Sequence, residues 1–195
     1  MKIKQFTLLL ITLFLFSGCD VAKQLGGAYN MTQCKYDYNS IDGLSVAGIN
    51  LSKGITALQI LQLTPILTGQ ASSIPLNFTL NMDISNPNQS AAMLHGLQYI
   101  LHIDNIQFTS GTINQALNIP AGGKQMLPLT IGVDLATLLK GDTKDAVQNI
   151  VKNIAGINDQ KSNVTLQIKP TLMIGNQAIP SPVYIPVHFS FGGKK

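Results

Sequence analysis

The chain has 195 residues, 45% of them hydrophobic and 11% charged, with a formal net charge of +4 from 13 basic and 9 acidic side chains. It contains no Arg, Glu or Trp. Bidentate arginine readout of phosphates is therefore excluded, no basic stripe with interleaved aromatics exists, and nucleic acid is not an expected partner.

The N-terminus opens with Met1-Lys2-Ile3-Lys4, followed by an apolar run from Phe6 to Phe16 and then Ser17-Gly18-Cys19. Positive residues, an apolar stretch and small residues in that order make a secretory signal over residues 1–18. The apolar run is shorter than the roughly 18 residues a membrane-spanning helix needs. Phe16-Ser17-Gly18-Cys19 resembles a bacterial lipobox, with Phe16 where the pattern usually has Leu. The resemblance implies that Cys19 is the lipid-attachment residue and the first mature residue. The expected localisation is then the bacterial cell envelope, on the outer membrane, with the membrane as a partner through that lipid. Removal of Lys2 and Lys4 leaves 11 Lys against 9 Asp, so much of the basic character leaves with the signal. Cys34 has no mature partner for an internal disulfide; it is an incidental thiol or an intermolecular link.

Residues 19–39 are polar, small and aperiodic, with Gly26-Gly27 among them, and read as a tether. Residues 40–195 read as one domain. Leu44, Val46 and Ile49 mark a first strand, with a shift near Gly48. Over Leu76–Ser85 the alternation is clean. Leu76, Phe78, Leu80, Met82 and Ile84 face the core, and Asn77, Thr79, Asn81 and Asp83 face outward. Asn86-Pro87-Asn88 ends that strand. Leu97, Tyr99, Leu101 and Ile103 line the next, and Asp104-Asn105 forms a two-residue hairpin into Ile106 and Phe108. Ser110-Gly111 and Ala121-Gly122-Gly123 are expected turns, with Ile113, Leu117 and Ile119 strand-like between them. Leu127, Leu129, Ile131 and Val133 alternate, with Pro128 requiring an edge or a bulge.

Val147, Ile150, Val151 and Ile154 fall at helical spacing, with Asp142 or Thr143 as the cap and Gly156 as the stop. Two strands follow. One carries Val164, Leu166, Ile168, Leu172 and Ile174; the other carries Val183, Ile185, Val187, Phe189 and Phe191. Gly175-Asn176 is the turn between them. Residues 52–69 fit neither template well. Seven or eight strands with one inserted α-helix predict an all-β fold, an antiparallel β-sandwich.

Ser85-Asn86-Pro87-Asn88, Tyr99, Ser110-Gly111, Ile119-Pro120-Ala121-Gly122-Gly123 and Val133-Asp134-Leu135 follow one another in an order similar to the type 2 late-embryogenesis-abundant family, the water-stress and hypersensitive-response domain. The resemblance covers about 55 residues, from Leu80 to Leu135, and continues weakly into the last two strands. It implies an immunoglobulin- or fibronectin-like sandwich, an association with stress and no catalytic centre.

A search for chemistry agrees with that expectation. His95 and His102 are seven apart and fall on opposite faces of one strand, and His188 points outward. No His spacing suits a metal, no nucleophile elbow occurs, and the Asp residues are scattered. No catalytic residue, metal or cofactor is expected. Two functions remain: a non-enzymatic stress-protective or protein-binding module, with another envelope protein as partner, or a module for a lipid or other apolar ligand. The second would need a groove between the Val147–Ile154 helix and the sheet.

Overall fold

The structure is a computed structural model and describes residues 22–52, 55–68, 70–139, 143–174 and 177–193. The signal segment and Cys19 lie outside these residues. Among the described residues the chain forms eleven strands, mostly antiparallel sheet, and four α-helices. No helix among them is long and apolar enough to cross a membrane.

The first sheet has the order β2-β1-β3-β8. Its members are β1 (Lys35–Val46), β2 (Ile49–Asn50), β3 (Pro75–Ser85) and β8 (Lys124–Asp134). The second has the order β10-β9-β5-β6, with β11 also paired to β9. Here β5 is Gly96–Ile103, β6 Ile106–Ile113, β9 Ser162–Ile174, β10 Gln177–Pro180 and β11 Ile185–Phe191. A small ribbon pairs β4 (Ala92–Leu94) with β7 (Leu117–Ile119). Both sheets contribute their apolar faces to one core cluster. All five apolar residues of β3 are in it, as are Leu97, Tyr99, Leu101 and Ile103 of β5.

The clean period-two segments fold as their pattern dictates. Asp104 and Asn105 have φ of 47° and 67°, as a two-residue hairpin turn of mirror-image type requires. Pro128 sits in β8, at the edge of its sheet, where a residue without an N–H is tolerated.

Several expectations are corrected. Residues 22–32 form a helix, α1, which buries Ala28 and Met31, and β1 begins at Lys35 rather than after the supposed tether. Gly26-Gly27 looked like tether because glycine disfavours helix by about 1 kcal/mol each. Gly27 is kept by packing, since a Cβ there would lie 2.9 Å from Met93 Cγ. The shift near Gly48 is a full hairpin from β1 to β2, with Ala47 and Gly48 at positive φ.

Ser110 and Gly111 are not a turn but lie inside β6. Gly111 faces the Tyr99 ring, and a Cβ would come within 2.8 Å of it, so the glycine makes room for an aromatic on the neighbouring strand. Of the Ala121-Gly122-Gly123 corner, Gly122 alone takes a positive φ. Asn81 is not exposed: at 4% accessibility its amide donates to Ser40 Oγ and the Asp42 carboxylate. β3 lies between β1 and β8, so neighbouring side chains cover even its polar face. Val183 precedes β11 and is 61% exposed, and His95 precedes β5. Residues 175–176 lie outside the described residues.

Helix α4 (Lys144–Ile154) buries Val147, Ile150, Val151 and Ile154, the stripe its spacing predicts. Thr143 stands at its N-cap without a side-chain cap bond, its hydroxyl donating instead to the Leu138 carbonyl; Asp142 lies outside the described residues. Gly156, at φ 68°, closes it. Residues 52–69 contain two short helices, α2 (Ala57–Gln62) and α3 (Thr64–Leu67).

Candidate binding cleft

The residues of the family-like motif serve architecture. Asn86 is 1% exposed, and its side-chain amide donates to the carbonyls of Ser90, Ile119 and Pro120. Its carbonyl oxygen accepts from the backbone N–H and the side-chain amide of Asn88. One asparagine thus satisfies a buried corner that would otherwise hold several orphan polar groups. Asp134 does the same at the other end of β3. It accepts from the N–H groups of Ile74 and Ala136 and from the Ser73 hydroxyl. Those bonds, the Ile74 N–H first, hold its carboxyl below the usual range. Asp83 is also held low, by the Lys124 ammonium at 2.7 Å and then by the Asn39 amide.

The singled-out thiol and imidazoles do not converge. Cys34 is buried, donates to the Asn30 carbonyl, and is pushed up to about 11 by burial, which suits an inert thiol rather than a nucleophile or an intermolecular link. His188 shares a hydrogen bond with Thr165, whereas His102 Nδ1 is buried without a partner. Among the described residues no three His, Cys, Asp or Glu side chains are grouped to hold a metal.

Apolar side chains do converge, at the C-terminal end of α4. A cleft of about 910 Å³ opens there. One wall is β1, with Tyr38, Ile41 and Leu44; the opposite wall is the end of α4 with Ile154 and Ile157. Leu51, Ile55 and Ile60 close one side, and Phe191 at the end of β11 closes the other. The frame is stiff. Tyr38 stacks on Phe189 with ring centroids 4.2 Å apart, tying β1 to β11. After Phe191 the chain turns through Gly192 and Gly193, both at positive φ, and the Gly193 N–H donates to the Asn153 carbonyl at 2.8 Å. A Cβ on Gly192 would lie 2.5 Å from that carbonyl oxygen, so the close approach requires glycine. Asn153 is itself buried and bonded to Ser162 and Asn158.

Among the described lining residues Asp42 is the one carboxylate. With the burial of Tyr38, its charge also pushes the Tyr38 phenol up. On the rim stands α2, held by a Thr56–Gln59 capping box, with Leu58 and Leu61 67% and 68% exposed. Sequence reading missed the cleft because part of its wall, Tyr38 and the Leu51, Ile55 and Ile60 side, comes from segments it left unassigned or described as tether, and nothing local joins these to Leu44, Ile154 and Phe191. The one available signal was the apolar character of Leu51, Ile55 and Ile60 outside any clear period.

Comparison with known proteins comes from sequence and from structure. Among curated proteins no relative matches the chain. A protein from Archaeoglobus fulgidus is similar in structure at 12% identity, covering 82% of this chain and 99% of that one, with a TM-score of 0.40. A solution structure described as a late embryogenesis abundant protein is similar at 16% identity, covering 97% and 87%, with a TM-score of 0.41. Another, from Arabidopsis thaliana, is similar at 12% identity, covering 83% and 80%, with a TM-score of 0.41. The model of the family described as late embryogenesis abundant protein matches residues 81–183, more than half of the chain and beyond the Leu80–Leu135 motif into β9 and β10. With Asn86, Tyr99, Gly111, Pro120 and Asp134 in the structural roles described, the chain belongs to the type 2 late embryogenesis abundant family.

Proposed function

We propose that the protein is a non-enzymatic binding module of the bacterial cell envelope, anchored by lipid on Cys19, and that it holds an apolar ligand in the cleft beside α4. The observation that carries this is the cleft itself. It is an open space of about 910 Å³ with apolar side chains on its walls and, among the described residues, no grouping of metal-ligating side chains. Small-molecule sites occupy roughly 300–1,000 Å³ and are mostly apolar with few polar groups. Apolar walls favour an acyl chain or other apolar molecule as the ligand class. The arrangement of two sheets around one core supports an immunoglobulin- or fibronectin-like sandwich as the frame.

Family membership favours a second reading, a stress-protective or protein-docking module that acts through its exterior. The helix stripe alone would favour it, because the apolar residues of α4 are spent on covering the sheet. The cleft past the end of α4 favours the ligand reading. Titration with the neutral dye N-phenyl-1-naphthylamine separates the two. The ligand reading expects saturable fluorescence, at least tenfold weakened by Ile157→Asp and competed by monoacylglycerol. Absence of saturation, with protection of a drying client protein, supports the second reading.

A further inference from the structure

Helix α1 carries two apolar stripes where a covering helix needs one. The first, Gly27, Ala28 and Met31, faces the core. On the opposite side Ala22, Leu25 and Tyr29 follow at i, i+3 and i+7, an outward stripe without a charge. Leu25 is 47% exposed and Tyr29 66%. On its inner side the first turn of α1 borders a separate shallow cleft through Gln24, beside Met93, His95 and Asn118. An exposed leucine and an outward tyrosine suit the interface of a bilayer, where an aromatic with a polar tip sits at head-group depth.

We infer that the outward stripe of α1 lies against the lipid bilayer and fixes how the domain stands on the membrane. The inference rests on lipid attachment at Cys19 and extends it from a point of attachment to an oriented surface. The length of chain identifies the occupant. Cys19 precedes Ala22 by three residues, so the acylated end lies no more than roughly 11 Å from the start of α1. An anchor that close brings α1 to the membrane before any other element. Lys23 flanks the stripe, where a cation can meet lipid phosphates. The orientation also carries the Asp104-Asn105 hairpin away from α1, because β5 runs from Gly96, close in sequence to the Met93 that packs on Gly27, to Ile103 at its far end.

The absence of Trp makes single-tryptophan reporters clean. Tyr29→Trp and Leu25→Trp report on the stripe; Gln107→Trp, exposed beside the far hairpin, is the control. Each full-length precursor is expressed in a bacterium, the processed protein is purified and its mass measured. It is then placed in phosphatidylethanolamine–phosphatidylglycerol vesicles with and without brominated acyl chains. Acyl mass on Cys19, with at least twofold stronger bromolipid quenching at positions 25 and 29 than at 107, is the expected result. An acylated protein quenched no more at 25 and 29 than at 107 overturns the inference and leaves the anchor standing. A processed protein without acyl mass removes the anchor and the inference together.

Discussion

At the corner between β3 and β7, one asparagine amide donates to three carbonyls and its own oxygen accepts from two groups of Asn88. At the cleft, apolar side chains from β1, α4, β11 and the segment before α2 meet around open space. The corner has no unspent bonding capacity, and its residues are those that mark the family. The cleft leaves apolar surface unspent, and its residues fall largely outside the motif. Saturation of buried polar groups marks a part of the molecule that maintains the fold. A concavity walled by apolar side chains marks a part that is free to bind.

Four substitutions break or sharpen this contrast, in descending order of effect. Phe78→Ala removes a 5% exposed ring from the core and costs about 3–5 kcal/mol in urea unfolding. Asn86→Ala leaves carbonyls unbonded in the closed corner and costs about 3 kcal/mol. A loss at Asn86 as small as that at a surface position would remove the distinction between the two regions. Asn81→Ala costs about 1–2 kcal/mol, because the amide bridging Ser40 and Asp42 is buried.

The Asp134→Asn variant is read by pH. Its folded-state pKa is depressed, so its contribution is complete above the unfolded value, about 3.9, and is lost as pH falls through the folded value. The variant is less stable at pH 7, and its acid unfolding limb below about pH 5 is flatter. Asp83, depressed in the same sense, preserves part of the slope.

The sequence makes the corner far more legible than the cleft. Asn-Pro-Asn after a clean alternating strand can be read as a strand end, and the hairpin at Asp104-Asn105 follows from residues that tolerate positive φ. β1 is harder because its register shifts twice, between Tyr38 and Ser40 and between Asp42 and Ser45, so its alternation never runs long enough to register. α1 is hidden by two glycines, one of which is needed only because Met93, some 66 positions later in the chain, packs against it. Gly111 misleads for a related reason: it makes room for a ring on the next strand, a tertiary cause that no local pattern carries. The candidate site is assembled from such stretches, so the alternating strands gave no hint of its place. The expectation of a groove along α4 came closest, displaced by about one turn to the helix end.

The central claim, that the cleft beside α4 is where an apolar molecule binds, is tested most directly by photolabelling. A neutral long-chain diazirine alcohol is illuminated with the protein, and the adducts are mapped by peptide mass spectrometry. The account predicts adducts concentrated on Ile41, Ile55, Ile157 and Phe191, abolished by excess monoacylglycerol. Adducts spread evenly over exposed apolar residues such as Met126, Ile179 and Val183, and unaffected by competitor, would contradict it.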